Sequence, residues 1–215
     1  MKEQIIEIET KSSLRTFNAE IEGASPISFS RHYDTLSVPR LTDKESPDAY
    51  EIRTWRNRLH INKDGHVYVP PTCIKASLVS TARFLSIRIP GKNQATYTKN
   101  FEQGLLVTEP MLLLQPSGNN GDLKPVLASE VPFETFFVPS DGKKGGGKRV
   151  RKNFPAIYTW AGIAKIVVLD DTIPNEIFGR VFVECGRFNG WGRFRPQTGG
   201  FYGRFTIRKL TVSTL

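Results

Sequence analysis

The sequence predicts an α+β protein made of two strand-helix-strand units with large loops inserted between them, and three observations carry that prediction. Phe17, Ala19 and Ile21 alternate with Asn18, Glu20 and Glu22, the period of a half-buried strand. Ile74, Leu78, Ala82 and Leu85 recur at intervals of four, four and three, which places them on one face of a helix. Later, the apolar runs Ala164 to Leu169 and Phe201 to Thr211 bracket a second helical pattern in which Ile177, Phe178, Val181, Phe182 and Cys185 share a side.

Taken in order, residues 3 to 10 have strand character through Ile5, Ile6 and Ile8, and residues 17 to 29 follow, interrupted at Gly23 to Pro26. Residues 30 to 66 are polar and aperiodic, with Pro39, Pro47 and the turn signal Asp64-Gly65, and read as a long excursion holding a short helix near Pro47 to Arg58. His66 to Val69 is a short strand. Pro70-Pro71-Thr72 then opens a helix over residues 72 to 85, since the first turn has N–H groups without partners and loses nothing to proline. Lys75, Ser77, Ser80, Thr81 and Arg83 fall on the remainder of that helix. A turn at Pro90-Gly91, strands at Leu105 to Val107 and Met111 to Leu114, a loop through Asn119-Asn120-Gly121 and a strand at Phe133 to Val138 follow. Pro139 to Pro155 reads as a loop that cannot pack, with Lys143, Lys144, Lys148, Arg149, Arg151 and Lys152 around Gly145-Gly146-Gly147. Asp170-Asp171-Thr172 before Pro174 signals a helix start, and that helix is expected over 174 to 185, with Gly179 weakening it.

A chain of 215 residues with 39% hydrophobic, 11% aromatic and 24% charged residues suits one soluble globular domain with insertions at about 30–66 and 139–155. No window approaches eighteen apolar residues, and the start Met-Lys-Glu-Gln-Ile-Ile-Glu-Ile-Glu carries carboxylates where a signal peptide needs an apolar run. Membrane partners and export are not expected. Cys73 and Cys185 stand alone, so the sequence offers neither a zinc knuckle nor a disulfide framework, and a reducing cytoplasm without a metal or cofactor is expected. The net charge of +9 is uneven: residues 1 to 64 hold ten Lys or Arg against eleven Asp or Glu, and residues 65 to 215 hold twenty against ten. Such a field attracts polyanions.

Cys185 to Phe205 is the stretch that points to a polyanion in particular. From Gly186 to Phe205 it contains six glycines, six aromatics, four arginines and no acid. Glycine permits close backbone approach, arginine offers a planar fork to phosphate, and aromatic faces stack bases. The expected nucleic-acid surface comprises Arg187, Trp191, Arg193, Arg195, Gly199, Gly200, Phe201, Tyr202, Gly203 and Arg204, with Lys75 and Arg83 from the helix and the basic loop beside it. The competing reading is a glycine-rich hairpin whose aromatics pack a sheet.

Two motifs give this plan a family likeness. Tyr68-Val-Pro-Pro-Thr-Cys-Ile-Lys-Ala-Ser-Leu-Val-Ser-Thr-Ala-Arg-Phe-Leu85 resembles the strand-to-helix junction of the RAMP superfamily of CRISPR proteins, and Gly-Arg-Phe-Arg-Pro-Gln-Thr-Gly-Gly-Phe-Tyr-Gly-Arg-Phe resembles the glycine-rich loop before their last strand. The resemblance implies a ferredoxin-like (RRM-like) palm with large inserted loops. Within the superfamily the chain is most similar to the repeating backbone subunit, which implies a noncatalytic, cytoplasmic RNA-binding protein of antiviral defense. Its implied partners are guide (CRISPR) RNA, a complementary target strand of DNA or RNA, copies of itself in a helical oligomer, and other CRISPR effector subunits. The sequence departs from the pattern in its compactness and in having Pro-Pro where many members have Pro-Gly. Some relatives cleave RNA with an aspartate or histidine after the first strand, which makes Asp34 and His32 the catalytic candidates of an alternative endoribonuclease reading. A further alternative is a viral or mobile-element single-strand nucleic-acid-binding protein on the same fold.

Overall fold

The computed structural model describes residues 14–34, 36–117, 121–140 and 147–214. In chain order these form β1 (Arg15–Gly23), β2 (Ile27–Ser28), α1 (Pro47–Thr54) continued by a 3-10 turn (Trp55–Arg58), β3 (Tyr68–Val69), α2 (Pro71–Leu85) and α3 (Thr98–Gly104). There follow β4 (Leu105–Leu106), β5 (Met111–Leu112), β6 (Leu114–Ser117), β7 (Asp122–Pro125), β8 (Phe133–Pro139), β9 (Arg149–Ile157), β10 (Ala161–Val168), α4 (Asn175–Glu184) and β11 (Phe205–Thr214). The protein is α+β, and its strand pairings are antiparallel. Among the described residues no helix is long and apolar enough to cross a membrane.

The main sheet runs β11-β1-β10-β6-β7, with β4 also pairing β10. Because side chains alternate across a strand, the register Phe17↔Ile166 and Ala19↔Ala164 puts the buried residues of β1 and β10 on one face. Helix α4 lies on that face: the Phe17 and Phe178 rings are 4.1 Å apart, and Val181 and Phe182 are buried beside them. Helix α2 starts with Pro71 in its first turn, ends at Ser86 in the left-handed region (φ 46°), and buries Ile74, Leu78 and Ala82, as their spacing predicts. Burying Ile74 or Leu78 stabilises the fold by roughly 1.5–3 kcal/mol each. Ser77 and Thr81 are also buried, contrary to the sequence reading, because a later segment covers that side of the helix.

A second sheet, β2-β9-β8, holds the largest difference from expectation. Residues 149 to 155, read as part of an unpackable loop, belong to β9, which is in register with β8 from Phe133↔Pro155 to Pro139↔Arg149. The strand was hidden because its distal half is charged: Arg149 and Arg151 are exposed, while the proximal residues Asn153 to Ile157 are buried. Pairing satisfies its backbone, so its outward side chains are free to be basic. Helix α3, with Phe101 as its buried anchor, was likewise unread, and the last strand begins at Phe205 instead of Phe201. The expected strand at 3 to 10, Lys143 and Lys144 lie outside the described residues.

Candidate nucleic-acid interface

The glycine-rich stretch is first of all a piece of core. After α4 the chain makes a π turn, Cys185–Asn189, and passes Trp191 beneath the sheet. Trp191 is fully buried, its ring 4.2 Å from that of Phe205, and its Nε1–H donates to Ser77 Oγ at 2.7 Å. Asn189 Nδ2 donates to Ser77 O at 3.1 Å and to Thr81 Oγ1 at 3.3 Å, which explains why the hydroxyls of α2 are buried. Trp191 therefore presents no face to a base, and its place among the binding residues is corrected. Gly200 and Gly203 are corrected too. A Cβ on Gly200 would overlap the Phe194 carbonyl, and one on Gly203 (φ +74°) would overlap the Trp191 carbonyl. Those contacts belong to the segment's own weave, in which Tyr202 N–H donates to Phe194 O and Gly203 N–H to Pro26 O. Gly199 differs, being exposed at the end of a 3-10 turn (Pro196–Thr198) with open space around its Cα.

What the weave presents is Arg193. Its guanidinium carbon sits 3.2 Å from the centroid of Phe154 and 3.5 Å from that of Phe194, with Phe136 at 5.5 Å. It makes no ion pair or side-chain hydrogen bond among the described residues, and Nη1 is a buried donor without a partner. Burial and the nearby positive charge of Arg58 bring its pKa down to about 10, so it remains charged at neutral pH. Arg58 is itself buried but neutralised: Nη1 lies 2.7 Å from Glu51 Oε1, and Nη2 donates to Oε2 at 3.2 Å. Glu51 also accepts from Lys152 Nζ at 3.2 Å and from the Asn153 N–H at 2.8 Å.

Arg193 and Arg195 line a cleft of about 410 Å³ together with Ser30, His60, Gly192, Phe194 and Thr198. His60 rests between the rings of Phe29 and Tyr68, and burial followed by the Arg31 charge hold its pKa below the ordinary histidine value. A concave site with two arginines, a histidine biased toward neutrality and two hydroxyls is chemically suited to an anion. Arg31, Arg58 and His60 are not among the binding residues expected from the sequence, where the alternation Arg56, Arg58, His60 is the one signal for the last two.

The remaining expected residues are dispersed. Arg83 pairs with Glu102, and Arg187 with Glu184 at 3.2 Å, so both are partly neutralised at the surface. Lys75 is half-buried on α2, and Arg204 half-buried before β11. Lys148 and Arg151 are exposed on the β8–β9 hairpin, where Arg149 donates to Phe137 O at 3.1 Å; Lys152 is held by Glu51 and is no part of a free loop. Phe201 is exposed, whereas the Tyr202 hydroxyl is bound to Glu134, and burial followed by that bond pushes its pKa up. Asp34 is exposed, but its Oδ1 accepts from the Leu36 N–H at 2.9 Å, and His32 is exposed as well.

No known protein family matches the sequence. No curated protein matches it either. Among solved structures, the chain is similar to one in the type III-B Cmr-beta bound to cognate target RNA, at 12% identity and a TM-score of 0.50, over 93% of this chain. The chain spans 61% of the length of that relative. It is also similar to Cmr6 from Pyrococcus furiosus, at 12% identity and a TM-score of 0.46, over 91% of this chain and 99% of that one. At 12% identity the likeness to the type III-B chain concerns the fold alone.

Proposed function

We propose that the protein is an RNA-binding backbone subunit of a CRISPR-type ribonucleoprotein, holding the sugar-phosphate chain of a guide in the Arg193–Arg195 cleft and assembling with copies of itself and other effector subunits. The observation that carries this reading is the caged cation Arg193, which has no ionic partner among the described residues and lies in a concave site on the glycine-rich segment. A ferredoxin-like palm fits the strand order β11-β1-β10-β4 with α2 and α4 as its two helices, and the β8–β9 hairpin with its basic distal half would project from it. The type III-B relative is described in complex with target RNA, and the fold likeness makes RNA the first ligand to try.

The test is salt dependence on an unstructured RNA. Each phosphate neutralised contributes about 0.7 to the slope of log K against log salt, so Arg195→Ala should lower the slope by about that amount, and Arg193→Lys should weaken binding with a smaller change in slope. With RNAs of increasing length, bound copies should rise in steps. Wild-type binding that ignores salt, or an unchanged slope in Arg195→Ala, refutes the cleft; one copy per RNA at every length refutes the assembly. RNA cut into products by wild type and left whole by Asp34→Ala would replace this reading with the endoribonuclease.

A further inference from the structure

A second groove, of about 490 Å³, lies between α2 and the same glycine-rich segment. Two phenylalanines stand at it, Phe84 with 69% of its surface exposed and Phe188 with 47%, their ring centroids 5.6 Å apart and their planes at 52°. The fold does not call for them: α2 buries Ile74, Leu78 and Ala82, and Phe84 lies off that face. Ser80, Thr81, Asn189 and Gln197 share the groove with the rings, together with the paired Arg83. Gln197 Nε2 donates to Ser80 Oγ at 2.6 Å, and Asn189, 3% exposed, donates through Nδ2 while its Oδ1 accepts from no group among the described residues.

We propose that this groove takes one unstacked nucleobase of a bound single strand, its face against Phe84 and Phe188 and its edge toward the Gln197 carboxamide and the Ser80 hydroxyl. The inference rests on the RNA-binding reading above. Aromatic faces bordered by a hydroxyl and two carboxamides suit a flat ligand with donors and acceptors on its rim. A protein partner would need a contiguous apolar patch, and here the rings are flanked by the charged pairs Arg83–Glu102 and Arg187–Glu184. Those pairs also leave the groove poor in free positive charge, so the phosphates belong in the neighbouring cleft. The turn Pro196–Thr198 joins the two sites, since Pro196 and Gln197 line the groove and Thr198 lines the cleft.

Oligoadenylate RNA and an abasic phosphodiester of equal length separate base from backbone. Phe84→Ala and Phe188→Ala, both at exposed positions, should keep the wild-type melting temperature and salt slope. Each should weaken oligoadenylate binding about 5- to 150-fold, the range for one lost stacking partner, and leave affinity for the abasic polymer unchanged. Phe84→Trp should restore most of the affinity. Variants that bind oligoadenylate as tightly as wild type overturn the groove while the cleft stands, and equal losses on both polymers show that the rings serve the backbone and overturn the base assignment. A wild type with no salt-dependent affinity for either polymer overturns this inference and the RNA-binding reading together.

Discussion

Glu51→Gln is the sharpest test of how the cleft is held in place. Glu51 is 2% exposed and is the sole carboxylate among the described residues bonded to Arg58, itself 8% exposed. Glutamine preserves the shape and keeps an acceptor for the Asn153 N–H, so the loss reports the charge. A buried cation left without its partner costs about 3–5 kcal/mol. At the 2–4 °C per kcal/mol of a domain this size, melting should fall by roughly 6–20 °C. Lys152 adds little, because its side chain is 38% exposed and solvent screens it. The assay is thermal and urea denaturation of Glu51→Gln, Arg58→Met and Glu51→Leu/Arg58→Met. The double variant should be less destabilised than the sum of the single ones, because it removes both charges from the interior. A Glu51→Gln loss below about 1 kcal/mol, or simple additivity, would refute the view that this pair joins α1 to the hairpin base.

Two shorter predictions follow from the same region. Gly200→Val should lower melting temperature and RNA affinity together, because the new side chain meets the Phe194 carbonyl before any ligand; loss of binding at full stability would return Gly200 to the ligand surface. His60 has a depressed folded pKa, so the unfolded chain takes up its proton first as pH falls; its contribution to stability is complete above the ordinary histidine pKa of about 6.5 and is lost between there and the lower folded value. Wild type should thus lose stability on acidification through that window more steeply than His60→Gln, and bound RNA phosphate should raise the His60 pKa seen by NMR. Parallel pH curves for the two proteins would remove the histidine from the charged cleft.

Periodicity made β1, α2 and α4 legible, since each buries one regular face that a single segment reveals. Strand β9 carries its evidence on its partner: Phe133 to Val138 reads as a strand, but nothing in the run Arg149-Val-Arg-Lys says that it pairs there. The candidate site divides the same way. Composition marked Arg193 and Arg195, whereas the Phe154 ring that cages Arg193 and the Arg58 that lowers its pKa come from segments far away in sequence. Glycine content also could not say what comes close: at Gly200 and Gly203 it is the protein's own carbonyls, and at Gly199 it is open space. Trp191 misled because aromatics that stack bases and aromatics that fill cores are the same residues, and only burial separates them.

The charge at the hairpin base gives the cleft its direction. Glu51 contributes one negative charge, and Arg58, Lys152 and Arg193 contribute three positive ones, an excess of two within one connected set of contacts. The protein places Glu51 against Arg58 and leaves Arg193 held by rings, which attract a cation without neutralising it. A caged guanidinium also has little rotamer freedom left to lose when a ligand arrives, so the ordering cost of about 0.5–1.5 kcal/mol for such a side chain is met in folding and not in binding. Moving the carboxylate to Arg193 would abolish the site without altering its shape. On this argument Arg195→Glu, which places an anion in the cleft that Arg193 also lines, should suppress RNA affinity far more than Arg195→Ala at equal melting temperature, and equal affinities for the two variants would show that shape, not unpaired charge, makes the cleft.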